Sequence, residues 1–365
     1  MLFDYVVGAG QGGCRIAKTF QDHFNDVDVC FMNLAKVDFS QLNVSKGLSL
    51  ILNAGGSGRN PDVGEKIAKQ NKDAIEMFLE NQFPNMRKND RVAVCIGGGG
   101  GSGVGMMYIV LEWLLRRKAD ILLIYTLPEK SEGLPAKPNA LKSLNKIIKE
   151  YLEADKLTAM VVDNSFCAER FGYSGEHDLG DYWSDINQGI VKGLRRFYYL
   201  TNLDHFSEYI DVNTGYGALD ERELIRVMFA KGGFIDLREC RISNLDIEAA
   251  ENAVFKSLIF GNLDIGSTKS YIATIGFPNY MRNNPNVSVF TETIFKRLEK
   301  ITKTSFVLRS THFNKSINEI KINILLSGLI KSHGLKKIVN QTVKDVARYK
   351  AKGGIESLDL NGLDY

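Results

Sequence analysis

The sequence predicts an α/β protein built on a doubly wound, mostly parallel sheet, followed by a long central helix and a second, smaller α/β domain. Three observations carry that expectation. Apolar runs too continuous for a half-exposed sheet alternate with helical patterns through the first half of the chain. A stretch near the middle keeps one helical period over residues 181–203. Beyond it the order changes to a shorter mixture of helices and strands.

The strand-like runs of the first half are "LFDYVV" (2–7), "VDVCFM" (27–32), "LSLIL" (48–52), "RVAVCI" (91–96), "ADILLIYTL" (119–127) and "LTAMVV" (157–162), with helical patterns such as 62–82 and 104–118 between them. Strands buried on both faces and joined by helices make a parallel sheet, and such sheets hold ligands at the carboxyl ends of their strands. In 181–203, Ile186, Ile190 and Leu194 share one helical face. There follow a helix at 219–231, the strand "GFIDLREC", a helix at 246–260, the strand "SYIATIGF", a helix at 289–299, the strands "TSFVLRS" and "IKINILLSGL", and a last helix at 334–351. The expected division is a first, ligand-binding domain at 1–180, the central helix and connection at 181–216, a second domain at 217–333, and a C-terminal helix with a flexible tail at 334–365.

Composition narrows the function classes. The 365 residues are enough for two domains with their own cores, and 44% of them are hydrophobic. No apolar run reaches the roughly 18 residues that span a membrane, because Glu112 interrupts "MMYIVLEWLL". The start "MLFDYVVGAG" reads as a strand rather than a signal peptide, so a cytoplasmic protein with no membrane contact is expected. Cys14, Cys30, Cys95, Cys167 and Cys240 are scattered and form no C-x-x-C pair, which argues against a disulfide framework and against a zinc site. A net charge of +3 from 46 basic and 43 acidic residues implies no direct nucleic-acid binding.

The chemistry concentrates in glycine-bearing turns. "GAGQGGCR" (8–15) follows the first strand, "NAGGSGRNPDVG" (53–64) the third, "GGGGGSG" (97–103) the fourth and "TLPEKSEG" (126–133) the fifth. Each glycine inside ordered structure costs about 0.5–1 kcal/mol relative to alanine, so five in a row mark a place where something comes close to bare backbone. Consecutive amides and the helix starts behind them suit an anion, and several such turns at one sheet edge suit a triphosphate. Two rival patterns are weaker. Gly8, Gly10 and Gly13 satisfy the dinucleotide fingerprint of an NAD-dependent oxidoreductase, but Asn33 stands where that fold wants an acid at the second strand's end. A Walker loop fails because no Lys-Ser or Lys-Thr follows Gly103.

Together these residues resemble the tubulin and FtsZ superfamily of GTPases, and within it the TubZ group of plasmids and phages. "GGGGGSG" is similar to the signature "GGGTGSG", with Gly100 in place of threonine; "GQGGCRIA" (10–17) resembles tubulin's "GQCGNQIG", and "GGSGRNPDVG" resembles the FtsZ loop at the γ-phosphate. The resemblance runs in order across most of the first 240 residues. It implies GTP or GDP, with Mg, bound by Gln11, Gly12 and Gly13 at the α- and β-phosphates and by Gly98, Gly99, Gly100, Gly101 and Ser102 around the β-phosphate. Gly55, Gly56, Ser57 and Asn60 fall near the γ-phosphate, and Glu132 at the ribose hydroxyls. Asn164, in "VVDNS", and Asn187 would read guanine, since an amide offers both acceptor and donors. Trp183, four residues before Asn187, would stack on the base.

Catalysis in this family is divided between subunits. "GALDERELIRVM" (217–228) resembles FtsZ's "INVDFADVRTVM", which gives Asp220 and Glu223 the part of polarising water in a neighbour's pocket. The family's asparagine in this loop is Ala218 here, and the longer spacing from Asn187 leaves Asp204, Glu208 and Asp211 open as alternative acids. A pocket closed only by a neighbour implies head-to-tail filaments, expected to move plasmid or prophage DNA through a DNA-binding adaptor. Lys336, Lys337, Lys344, Arg348, Lys350 and Lys352 make the last helix basic. The tail bearing Leu358, Leu360, Leu363 and Tyr365 reads as the peptide that binds the adaptor. A nucleotide-dependent scaffold without significant hydrolysis stays open beside these readings.

Overall fold

The structure, a computed structural model, describes residues 2–36, 42–52, 55–129, 132–133, 135–170, 179–201, 210–211, 219–254, 264–304, 306–330 and 333–351. The chain forms two compact units, residues 1–191 with 335–365, and residues 192–334. The division thus falls inside one helix, between Val191 and Lys192, and the last helix is grouped with the first unit.

In the first unit the six expected runs form β1 (Tyr5–Ala9), β2 (Asp28–Asn33), β3 (Ser49–Ile51), β4 (Arg91–Gly97), β5 (Asp120–Leu127) and β6 (Thr158–Asp163). They pair in parallel in the order β3-β2-β1-β4-β5-β6. Residues 92–96, 121–127 and 158–163 are buried without a break, as strands covered on both faces must be. Between the strands run α1 (Gly10–His23), α2 (Pro61–Gln70), α3 (Lys72–Gln82), α4 (Gly101–Arg116) and α5 (Ala136–Ile147); α6 (Asn164–Arg170) and α7 (Leu179–Thr201) follow β6. The single helix expected at 62–82 is two helices. They break at Asn71, whose φ of −113° and ψ of 23° depart from the α-helix; its side-chain amide donates to the Ile67 carbonyl at 2.9 Å beside its own backbone N–H, which reaches the same oxygen at 3.2 Å.

The strand order places the site. From β1 the chain moves outward to β2 and β3, then returns to β4 on the other side of β1 and continues to β5 and β6. β1 and β4 are therefore neighbours whose following connections diverge, which opens a crevice at their carboxyl ends. Neither strand ends in a long loop. β1 passes directly into α1, with Gly10 at φ 69° as the corner, and β4 reaches α4 through the short turn Gly98–Gly100. The two corners touch: a Cβ on Gly10 would lie 2.7 Å from the Gly103 backbone, and one on Gly103 would lie 2.5 Å from the Ala9 carbonyl oxygen. Much of the glycine in these turns lets main chain pack on main chain.

The second unit holds β8 (Gly233–Ile242), β9 (Ser270–Pro278), β10 (Phe306–Asn314), β11 (Ile320–Leu329) and the two-residue β7 (Ile210–Asp211), with α8 (Glu221–Met228), α9 (Ile247–Val254) and α10 (Asn286–Thr302). Its strand order is β8-β11-β9-β10-β7, in which β9 and β10 are parallel and the other pairs antiparallel. Phe277, Phe290 and Phe295 are buried in it. The fully buried Arg238 donates to Asp236 at 2.9 Å and to the Val254 carbonyl at 3.1 Å, so neither charge is left unpaired. The last helix, α11 (His333–Ala351), buries Leu335, Val339, Thr342 and Val346 on one face and leaves Lys336, Lys337, Lys344, Arg348 and Lys350 exposed. Lys352 and the expected tail lie outside the described residues. Among the described residues no helix is long and apolar enough to cross a membrane.

Candidate functional site

A cavity of about 400 Å³ opens in the first unit at this crevice. Its floor is two helix starts. Gly10, Gln11 and Gly12, the first three residues of α1, line it, as do Gly101, Ser102 and Gly103, the first three of α4. Amides in a helix's first turn have no partner within the helix and carry the positive end of its dipole. Neither start has a side-chain cap, the N-cap residues being Ala9 and Gly100. The cavity is therefore a place where two sets of main-chain donors face one ligand, the chemistry of phosphate binding.

The loop 55–60 forms another wall. Gly55, Gly56, Ser57, Gly58 and Arg59 line the cavity, and the Ser57 hydroxyl lies 3.4 Å from that of Ser102. Asn60 does not line it. Its Oδ1 accepts from the amides of Asp62 (2.9 Å) and Val63 (3.3 Å), capping α2, while its carbonyl accepts from Gly64.

The remaining wall comes from the ends of β5 and β6 and from α7. Thr126, Pro128, Glu132, Asn164, Trp183 and Asn187 line it. Asn164 and Asn187 are buried, at 1% and 6% exposure. The Asn164 side chain hydrogen-bonds the Glu132 carboxylate, yet its Oδ1 has no partner. A buried amide oxygen left open toward a cavity is costly unless a ligand donor fills it, and the N–H groups of guanine's edge are such donors. Burial pushes the Glu132 carboxyl above the usual carboxylate range, against the opposing pull of the Glu129 amide, 2.9 Å from Oε1, and of the Arg59 guanidinium. Trp183 is half-buried beside Tyr182, ring centroids 5.1 Å apart, and the Tyr182 hydroxyl donates to the Asn164 carbonyl at 2.6 Å. That bond ties α7 to the end of β6.

Of the expected binding residues, Gln11, Gly12, Gly55, Gly56, Ser57, Gly99, Gly100, Gly101, Ser102, Glu132, Asn164, Trp183 and Asn187 line the cavity. Gly13, Gly98 and Asn60 do not, and each has another task. Gly13 lets α1 lie on β4, where an added Cβ would be 2.0 Å from the Cys95 carbonyl oxygen. Gly98 spends its amide on the Thr126 carbonyl at 2.9 Å and fits under the Tyr125 ring. Sequence reasoning passed over Arg15, Arg59 and Thr126. Arg15 stands one helical turn after Gln11, a spacing that placed it on the same face. Asp220 and Glu223 belong to the second unit, where the Asp220 carboxylate caps α8 through the amides of Arg222 (2.7 Å) and Glu223 (3.3 Å). Ala218, Asp204 and Glu208 lie outside the described residues, and Asp211 falls in β7. At the end of β2, where a dinucleotide site wants an acid, the buried Asn33 accepts from the Leu34 amide at 2.8 Å.

Residues 5–166 match the Tubulin/FtsZ family, GTPase domain. That match lies within the first unit. FtsZ 1 of Thermococcus kodakarensis is 26% identical over 280 residues, which make up 74% of this chain and 67% of the relative. The tubulin-like protein TubZ of Bacillus thuringiensis subsp. israelensis is 25% identical over 291 residues, 69% of this chain and 57% of that protein, so the chain aligns with little more than half of its length. Among solved structures, GDP-form protofilaments of TubZ from Bacillus thuringiensis serovar israelensis share the fold with a TM-score of 0.77 at 17% identity, over 96% of this chain and 93% of that one.

Proposed function

We propose that this chain binds GTP in the cavity of its first unit, hydrolyses it to GDP and phosphate, and assembles head to tail into dynamic filaments. One observation carries the binding step: two uncapped helix starts face a cavity whose other wall presents the open, buried Oδ1 of Asn164. Phosphates suit the amides, and the guanine edge suits Asn164 and Asn187 with Trp183 against the ring. Glu132 and Thr126 stand ready for the ribose. Among the described residues the cavity lining holds one carboxylate, so a magnesium ion would be held by phosphate oxygens, water and the hydroxyls of Ser57 and Ser102, where it would offset phosphate charge.

Hydrolysis is assigned to a second copy. Asp220 and Glu223 are exposed at the start of α8 in the second unit, where an acid on one copy can enter the cavity of the next and orient water. A contact of this head-to-tail kind that does not close makes a filament, and loss of the γ-phosphate would weaken the joint. In the cell such filaments would segregate plasmid or prophage DNA through an adaptor held by the C-terminal tail, a role supported by the TubZ resemblance alone.

Purified protein mixed with GTP is the test. Turnover per molecule should rise with protein concentration, and the protein should sediment with GTP and show filaments by electron microscopy. Constant turnover per molecule without sedimentation would defeat the shared-site reading. Filaments without phosphate release would favour a scaffold that does not hydrolyse.

A further inference from the structure

We infer that the second unit carries a binding site for a tetrahedral oxyanion, phosphate, held by Arg241 of β8, Lys321 of β11 and Arg196 of the part of α7 that belongs to this unit. β8 and β11 run antiparallel with Arg241 opposite Lys321 and Glu239 opposite Asn323. Residues two apart on a strand share a face, so these four side chains stand on one face of the sheet. Arg196 reaches the same face: its Nη1 donates to Glu239 Oε2 and, at 3.2 Å, to Asn323 Oδ1. None of these residues lines the cavity of the first unit.

Like charges set directly opposite each other on a sheet destabilise it, yet this chain pairs an arginine with a lysine. The one carboxylate beside them is already engaged at both oxygens. Glu239 accepts from Arg241 Nε at 2.9 Å through Oε1 and from Arg196 through Oε2. Asn323 gives its oxygen to Arg196 and donates from Nδ2 to Thr274 Oγ1 at 3.4 Å. Lys321 is left over, with no hydrogen bond or ion pair among the described residues. Burial pushes its ammonium below the usual lysine range, the Arg241 and Arg196 guanidiniums push the same way, and Glu319 only partly offsets them. Next in that row Gly276 has no side chain, and the His312 ring lies over it, 2.6 Å from where a Cβ would stand. Burial lowers the His312 pKa to about 4, so near pH 7 it is neutral and adds no charge.

Three cations thus share one carboxylate, which leaves an excess of two positive charges. A phosphate group carries about that much negative charge near neutral pH and offers several strong acceptor oxygens. Bound between Arg241 and Lys321, it replaces their repulsion with charge-assisted hydrogen bonds, and a guanidinium fork can take two of its oxygens. Glu239 holds both guanidiniums in place for this. Entry is open, because the Arg241 side chain is 53% exposed while Glu239 beneath it is 14% exposed. Chloride, with one charge and no pair of oxygens, satisfies the cluster less well.

The experiment labels the full-length chain with a small amine-reactive reagent at pH 7.5 and follows Lys321 by mass spectrometry, with the exposed Lys337 as internal reference. Inorganic phosphate is titrated against chloride at equal ionic strength, so that general screening is the same in both arms. Phosphate should slow the labelling of Lys321 by about threefold or more relative to Lys337, with half the effect reached below about 10 mM. In Arg241→Gln that protection should fall at least about threefold. Equal labelling of Lys321 in phosphate and chloride, or full protection in Arg241→Gln, would overturn the site. Thermal melts add a second readout that Lys321→Gln supplies. Without phosphate this variant should melt no lower than wild type, since it loses a repulsion, and it should lose most of the gain that phosphate gives wild type. A variant that gains as much from phosphate as wild type would also overturn the site. If Arg241→Gln does not fold, the wild-type titration decides.

Discussion

The starts of α1 and α4 carry no side-chain cap, whereas those of α2 and α8 are capped by Asn60 and Asp220. A side-chain cap is worth about 1 kcal/mol; the two starts that meet at the switch point have none, like those of α3, α5 and α10, and what sets these two apart is that they face the cavity. The difference separates two uses of the same electrostatics. Where the cap is internal, the first-turn amides are spent on stability. Where glycine or alanine stands at the N-cap, they stay available to a ligand, and stability is recovered by close packing of glycine on neighbouring backbone.

The largest effect should come from disturbing that packing. Gly13→Ala puts a Cβ against the Cys95 carbonyl oxygen and should lower stability by about 3 kcal/mol or more, read by urea denaturation. An alanine variant as stable as wild type would break the claim that this glycine serves α1–β4 contact. Next is Asp220→Asn, which keeps an equally good N-cap and removes the charge. Turnover should fall about 100-fold, equivalent to about 2.7 kcal/mol of barrier, while the melting temperature stays near wild type. A fall in stability with turnover retained would make Asp220 a cap alone. Asn60→Ala should cost about 1 kcal/mol through the start of α2 and leave nucleotide affinity close to wild type, because Asn60 does not line the cavity. Smallest is Gly100→Thr. A Cβ there meets only the Gly97 carbonyl oxygen, at 3.7 Å, so stability should move by less than about 0.5 kcal/mol, and a larger loss would mean that the turn has less room than its backbone shows.

The strands of the first unit were readable because parallel strands covered on both faces need unbroken apolar runs, and "RVAVCI" or "ADILLIYTL" can hardly be anything else. The break at Asn71 was not, because it lies in the backbone angles of that one residue, while the Ile67 carbonyl keeps its ladder bond beside the Asn71 side chain. The turn glycines were found, but not sorted. Gly12 and Gly13 are adjacent and look alike in sequence, yet one lines the cavity and the other underlies α1. Arg59 was hidden for a related reason, since its φ and its hold on Glu132 arise only when two loops distant in sequence are brought together.

By itself the sequence determined the alternation of elements, the place of the glycine turns at strand ends and the family those turns resemble, because hydrophobic period and the demand for bare backbone are local properties of the chain. Only the tertiary structure decided which amides face the cavity, which glycines serve packing, and that Asn164 keeps an open buried oxygen there. Those outcomes depend on strand order. Setting β4 beside β1 brings the starts of α1 and α4 together across some ninety residues of chain, a juxtaposition that no local pattern encodes.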